Sequence, residues 1–266
     1  MSACCTRLVL HVLCILLMAG VGWAAAAPAP AVLGPPWFEE CLAYYNRFEG
    51  KPGEADVNTD GLALVDRGPL GTLDSGLFGR ALHVKDGRAP FTLQGQALSP
   101  HRPLTLSFWW ALPYDLAVDG GYTLFYLRGR GFVAAFSRGK GEWCALQRPA
   151  GVFQVYSFPG IQNVNGIYDF DLMAHLDLKA GVWHHTAVVF RRACMAQMYT
   201  DGKLVFDVTT SGREFSAEDG LNAIDFGGPL YLDELAILNR AVDADLIGDY
   251  YRGVSQLRGY CAPVGR

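Results

Sequence analysis

Residues 104–112 read LTLSFWWAL, and this stretch decides the fold class. Leu106 and Phe108 alternate with Thr105, Ser107 and Trp109, so the two sets of side chains fall on opposite faces of an extended chain. Successive side chains point to opposite sides in a strand, whereas a helix repeats every 3.6 residues. The period of two therefore predicts a β-strand with one apolar face in a core.

Similar segments follow along the rest of the chain and are separated by turn residues. They cover residues 122–127, 131–137, 142–147, 152–158, 183–190, 195–200, 203–208 and 230–238. Asp201-Gly202 separates two of them and is typical of a two-residue type I′ hairpin turn. Strands spaced roughly 8 to 12 residues apart predict an all-β fold, an antiparallel two-sheet jelly-roll sandwich.

One short C-terminal helix is also predicted. The apolar residues that fit one face of this helix are Leu246, Ile247, Tyr250 and Tyr251. Asp243 precedes them at the position of an N-cap residue.

The composition narrows the class of protein. The 266 residues include 31 glycines and 14 prolines, which is more turn chemistry than a helical bundle uses. A hydrophobic fraction of 51% with a formal net charge of −4 excludes a wholly disordered chain. The mildly acidic balance offers no basic surface for nucleic acid, so no nucleic-acid partner is expected.

The N-terminus has the pattern of a secretory signal. Residues 8–21 (LVLHVLCILLMAGV) are apolar and precede a run of alanines. The run is shorter than the ~20 residues that span a bilayer, so residues 1–26 are predicted to be a cleaved signal peptide rather than a retained membrane anchor. Residues 27–36 (APAPAVLGPP) predict an extended linker, and residues 37–262 predict the folded domain. We expect a secreted or extracytoplasmic protein, periplasmic or at the cell surface in a bacterium, with no membrane partner after cleavage.

Cysteine usage fits export. Cleavage removes three of the seven cysteines and leaves Cys41, Cys144, Cys194 and Cys261. An even count in an exported chain is typical of disulfides. Because Cys41 opens the domain and Cys261 closes it, we favour Cys41–Cys261 with Cys144–Cys194, and four buried free thiols are the alternative.

Six short motifs occur in one order along the domain. They are LAYYNRFEG (42–50), FGRALHV (78–84), LTLSFW (104–109), WHHTAV (183–188), MYTDGKLV (198–205) and LDELAI (232–237). Together they resemble the laminin-G-like jelly rolls of the concanavalin A-like lectin and glucanase superfamily. The resemblance covers roughly residues 42–252 and implies a concanavalin A-like sandwich.

Two adjacent acids, Asp233 and Glu234, lie in the last predicted strand. Neighbours on a strand face opposite sides, so one carboxylate is expected to be buried and to need a cation or several hydrogen-bond donors. Many sandwiches of the superfamily hold a structural Ca²⁺ with ligands from the first strand and a late strand. The resemblance therefore implies Asp233 and Glu49 as oxygen ligands for one Ca²⁺. The alternative is that Asp233 pairs with Arg240 or caps backbone amides.

The adjacent histidines His184 and His185 also suggest a metal site. Because adjacent side chains on a strand point to opposite faces, the two imidazoles cannot readily share one ion. We expect one histidine to be buried and hydrogen-bonded and the other to lie on the sheet surface.

No catalytic pattern stands out. Glucanases of the superfamily carry three acids in phase on one strand, whereas Asp169 and Asp171 form a period-two pair with no third acid in phase. Nucleophile-elbow, HExxH, phosphate-loop and EF-hand motifs are absent from the sequence. We expect a non-catalytic protein, with a divergent glycoside hydrolase as the enzymatic alternative.

Binding is the leading functional hypothesis. Residues 159–171 (PGIQNVNGIYDFD) predict an exposed loop. The candidate ligand-binding residues in it are Gln162, Asn163, Asn165, Tyr168 and Asp169, which offer amides, an acid and an aromatic ring to sugar hydroxyls and rings. Turn geometry is the alternative role for the two asparagines.

Trp109 is a further candidate, as a sugar platform, and packing in a second half of the core is its alternative. We therefore expect a recognition module for glycans or for another extracellular or cell-surface ligand, such as a protein. A structural or protein-adhesion domain without a sugar site is the second hypothesis.

Overall fold

The computed structural model describes residues 34–51, 53–66, 70–73, 75–99, 101–113, 120–127, 132–138, 150–157, 171–175, 179–192, 195–209 and 222–259. The described strands are β1 (Leu42–Asn46), β2 (Val57–Asn58), β3 (Ala63–Asp66), β4 (Leu70–Leu73), β5 (Ala81–Gln94), β6 (Leu104–Ala111), β7 (Gly120–Leu127), β8 (Phe132–Arg138), β9 (Ala150–Ser157), β10 (Asp171–His175), β11 (Trp183–Arg192), β12 (Met195–Thr200), β13 (Lys203–Thr209) and β14 (Ala223–Leu238). The helices are α1 (Pro36–Glu39) and α2 (Ala244–Gly259), and a 3₁₀ turn covers Gln96–Leu98.

The predicted all-β class with a C-terminal helix is confirmed. The stretch that decided the fold forms β6, and α2 is 16 residues long. Asp201 and Gly202 join β12 to β13 with φ angles of 51° and 73°, as a type I′ turn requires. The predicted strand at residues 142–147 lies outside the described residues. Within the described part of the chain, no helix is long and apolar enough to cross a membrane.

One long strand, β14, connects the layers of the sandwich. The strands hydrogen-bond in the order β10-β9-β8-β7-β14-β6-β11-β12-β13, and β5 and β1 also pair with β14. Residues 224–226 of β14 pair with β7, whereas residues 231–238 pair with β6. The two layers are therefore continuous through β14, and all the named strand pairs are antiparallel.

The inner core lies between the layers. Leu106, Phe108 and Trp110 of β6 are fully buried in it. The ring of Phe108 meets the rings of Phe125 and Phe226 edge-on, with centroid distances of 5.6 and 5.2 Å. The alternation of β6 thus places its large apolar side chains where the sequence predicts.

The opposite face of β6 forms a second core instead of a surface. Helices α1 and α2 cover this face, and Phe38 of α1 stacks on Tyr250 of α2 with centroids 4.7 Å apart. Trp109 is 1% exposed and stacks on Tyr251 at 5.6 Å. The proposal of Trp109 as a sugar platform is therefore wrong for this structure, because α2 covers its ring. Its alternative role, packing in a second core, is the one observed.

Candidate functional site

The two adjacent acids of β14 sit at a β-bulge. Asp233 pairs with Trp109 of β6, but the next paired residue is Ala236, opposite Ser107, so β14 carries one extra residue there. Glu234 has a positive φ of 51°. The bulge breaks the alternation of side chains, and Asp233 and Glu234 are each 1% exposed. Both carboxylates are buried, and the prediction that only one of them would be is wrong.

Asp233 caps backbone amides. Its Oδ2 accepts the N–H of Leu77 at 2.7 Å and its Oδ1 accepts the N–H of Glu234 at 2.9 Å. Burial first, and then the neighbouring Glu234, raise the pKa of Asp233 well above its usual value. A Cβ on Gly76 would lie 2.8 Å from Asp233 Oδ2, so this close approach requires glycine. Amide capping, one of the two alternatives to metal binding, is what the structure contains.

Glu234 is held from the first strand. Tyr45 of β1 donates its phenolic O–H to Oε2 of Glu234. Burial raises the pKa of Glu234 to about 8, while the hydrogen bond from Tyr45 and the charge of Arg47 act in the opposite direction. Arg47 itself forms an ion pair with Asp56 at 3.0 Å. The pattern LAYYN places Tyr45 on a strand, but sequence reasoning missed its role, because nothing local links it to a residue 189 positions later.

Glu49 hydrogen-bonds to the same turn, at Arg80. Its Oε1 accepts the N–H of Arg80 at 3.1 Å, and its carbonyl oxygen accepts an N–H of the Arg80 guanidinium at 3.2 Å. A Cβ on Gly79 would lie 2.1 Å from Glu49 Oε1, so the chain turns against this carboxylate at a glycine. Asp233 and Glu49 thus support one turn, residues 76–80.

This corner does not by itself complete a calcium site. Ca²⁺ takes six to eight oxygen ligands, whereas the described residues contain no group of three His, Cys, Asp or Glu side chains arranged to hold a metal ion. The carboxylates of Asp233 and Glu49 already accept N–H groups. Binding of Ca²⁺ stays a prediction.

The two histidines of β11 face opposite layers, as expected, but both are buried. His184 packs against Trp110, and its Nδ1 lies 2.9 Å from Asp201 Oδ2. His185 packs against Trp109 under α2. The expectation that one of the histidines is exposed is wrong, because the helices cover the outer face of the sheet.

Ser107 and His185 form a contact that resembles a nucleophile and its base. Ser107 Oγ lies 2.9 Å from His185 Nε2. However, Asp201 accepts the backbone N–H of His185, and the ring Nδ1 of His185 has no hydrogen-bond partner within the described structure. Burial lowers the pKa of His185 to about 3. A catalytic triad needs a carboxylate on that second nitrogen and an open site, so this pair supports packing and not acyl transfer.

Residues 159–170 of the predicted binding loop, with Gln162, Asn163, Asn165, Tyr168 and Asp169 among them, lie outside the described residues, whereas its last residue, Asp171, begins β10. Among the predicted disulfide partners, Cys41 is buried and forms no disulfide with another described residue, which leaves its predicted pairing with Cys261 untested. Cys144, Cys194 and Cys261 also lie outside the described residues, and their pairing stays a prediction.

Comparison with known proteins identifies the fold alone. No protein-family model matches the chain. No curated protein sequence matches it either. Solved structures do match: the binding domain of Paraclostridial Mosquitocidal Protein 1 aligns at 13% identity and a TM-score of 0.57 over 80% of this chain and 52% of that one.

Two neurotoxin domains align similarly. The botulinum neurotoxin type G receptor binding domain gives 13% identity and a TM-score of 0.54 over 80% of this chain and 51% of that one. The serotype D ligand binding domain, solved in complex with N-acetylneuraminic acid, gives 14% and 0.57 over 82% of this chain and 52% of that one. The chain thus spans about half the length of the structures it matches. At such identities the likeness establishes a jelly-roll-like β-sandwich.

Proposed function

We propose that this chain is a secreted, non-catalytic recognition module with a laminin-G-like jelly-roll fold that binds a glycan or another extracellular ligand. The observation that carries the proposal is the fold it shares with domains described as receptor binding and ligand binding, one of them solved with N-acetylneuraminic acid. Fold alone does not determine function, so the chemistry of the described sites must agree with it.

The buried polar groups support a binding role over a catalytic one. A retaining glycosidase places two carboxyl groups about 5 Å apart on either side of an accessible sugar bond. Asp233 and Glu234 are instead enclosed by the protein, and their oxygens accept hydrogen bonds from Leu77 and Tyr45. A sugar does not reach them in this fold, so Asp233 and Glu234 do not supply the two acids of a glycoside hydrolase.

We assign the ligand contacts of the proposed module to the loop at residues 159–171. Its amide, acid and tyrosine side chains (Gln162, Asn163, Asn165, Tyr168 and Asp169) suit sugar hydroxyls and rings. Loops carried on a rigid scaffold commonly hold binding residues. The sandwich with its two cores provides such a scaffold.

A glycan array probed with the exported chain, with and without EDTA, tests the proposal. We expect binding to at least one glycan and weaker binding in the triple variant Asn163→Ala, Asn165→Ala, Tyr168→Ala. Gln256→Ala, at an exposed position of α2, is the matched control and should bind normally. Absence of binding to every glycan would overturn the proposal in favour of a structural or protein-adhesion domain.

A further inference from the structure

A row of side chains on the outer face of the sandwich is left outside the helical cover. Gly71 of β4 pairs with His83 of β5, and His83 pairs with Tyr231 of β14. Directly paired residues in an antiparallel sheet share a face. The rings of His83 and Tyr231 lie 4.9 Å apart at an angle of 57°, and both residues are half-buried.

Lys85 adds a positive charge to this row. It is exposed and lies two residues beyond His83, on the same face of β5. A Cβ built on Gly71 would lie 3.4 Å from Lys85 Cε and 3.7 Å from His83 Cβ, so the lysine stem passes over the glycine. Burial, and then the charge of Lys85, lower the pKa of His83. We call Gly71, His83, Lys85 and Tyr231 the outer patch.

The outer patch differs from the rest of its face. Further along the sheet, Trp109 and Ala187 are covered by α1 and α2 and belong to the second core. His83 and Tyr231 are instead only partly buried, with Tyr231 packed against the margin of the second core.

The nearest acid on the same face of β14 does not oppose the charge of Lys85. Asp233 follows Tyr231 by two residues but is buried, and both its oxygens accept backbone N–H groups. Burial also raises the pKa of Asp233, which favours its neutral form. The accessible charge within the outer patch is therefore positive.

We propose that the outer patch binds an anionic saccharide, with the sugar ring against Tyr231 and His83 and the acidic group on Lys85. Aromatic faces and edges suit the C–H surface of a sugar, and an ammonium recognises a carboxylate or sulfate as a point charge. This inference rests on the proposed glycan-binding function and adds a second site, selective for acidic sugars, to the one assigned to the loop at residues 159–171. A carboxylated sugar and a sulfated sugar share the chemistry the patch requires.

The test uses an array that carries sialylated, sulfated and uncharged forms of the same glycans, probed with the exported chain. We expect the acidic forms to bind in preference to the uncharged ones. Lys85→Gln should weaken binding by about tenfold or more, because it removes a charge-assisted contact, and Tyr231→Leu should weaken it while keeping apolar bulk at this position. Lys203→Gln, which removes an exposed charge on β13, is the matched control and should leave binding unchanged.

The outcomes separate this inference from the proposed function. Glycan binding that Lys85→Gln and Tyr231→Leu leave intact would overturn the outer patch but not the recognition module. Equal binding of charged and uncharged glycans would do the same. If no glycan binds at all, the proposed function fails and the outer patch fails with it.

Discussion

Tyr45 of the first strand donates a hydrogen bond to Glu234, which a β-bulge buries in the last strand beside Asp233. This contact joins the two ends of the fold through a carboxyl group that is 1% exposed. Three charged side chains also change the pKa of Glu234: Arg47 lowers it, whereas Asp56 and Glu49 raise it. Burial, and then the negative charges of Glu234 and Asp233, raise the pKa of Tyr250 of α2 well above its usual value.

Stability should fall as pH rises through the titration range of Glu234. The pKa of Glu234 is about 8 in the folded protein against an ordinary value of 4.5, so the folded state holds more protons than the unfolded state between these limits. The free energy of unfolding therefore decreases with rising pH in this window, by at most about 1.4 kcal/mol per pH unit for each proton. Denaturant unfolding measured from pH 5 to pH 9 checks the slope.

Glu234→Gln should reduce this slope without abolishing it, since glutamine stays neutral and still accepts from Tyr45, whereas Asp233, whose pKa is also raised, keeps its contribution. Glu54→Gln, at an exposed residue that pairs with Lys51 across 3.3 Å, should leave the wild-type slope intact. An unchanged slope in Glu234→Gln would show that the acid titrates normally in the folded protein.

The sequence predicts the faces of β6 correctly but not what covers them. The alternation of Leu106 and Phe108 with Ser107 and Trp109 holds in the structure. However, a strand face exposed to solvent and a strand face covered by helices can have the same sequence pattern. Trp109 is buried because Tyr251, far along the chain, stacks on its ring. Long-range packing of this kind leaves no signal in the strand itself.

The bulge at Asp233 and Glu234 was unpredictable for a related reason. Strict alternation assigns two neighbouring residues to opposite faces, and only an extra residue in the pairing with β6 allows both to be buried. The long strands β5 and β14 were also missed in part. The predicted strand at residues 230–238 is only the C-terminal part of β14, which begins at Ala223 and pairs Gly228 with Gly87 before that segment.

Helix α2 should contribute strongly to stability. Ile247 is 3% exposed and packs in the second core. Ile247→Ala should lower the free energy of unfolding by roughly 2–4 kcal/mol, as for other buried large-to-small changes. Leu257→Ala, on the same helix but 49% exposed, should change it by less than about 0.5 kcal/mol. Equal effects of the two variants in urea unfolding would contradict the packing of α2.

Calcium binding at the corner held by Glu49 and Asp233 is tested by chelation. A ligand that binds only the native state raises its stability, so EDTA should lower the melting temperature if Ca²⁺ is bound, and added Ca²⁺ should restore it. Glu49→Gln should remove this response. A melting temperature that EDTA leaves unchanged would rule out the ion.

The predicted disulfides have a direct readout. If Cys41–Cys261 and Cys144–Cys194 form on export, the secreted chain should migrate faster without reductant than with it, and peptide mapping should recover both linked pairs. Four alkylatable thiols in the secreted protein would instead support the free-thiol alternative.

Recognition without turnover is tested most directly by following both binding and cleavage in one experiment. The purified protein is incubated with the glycans of the array, and the bound fraction and any released sugars are analysed by mass spectrometry. We expect saturable binding of at least one glycan, with every glycan recovered intact. Cleaved glycans would overturn the proposed function, and so would a protein that retains no glycan at all.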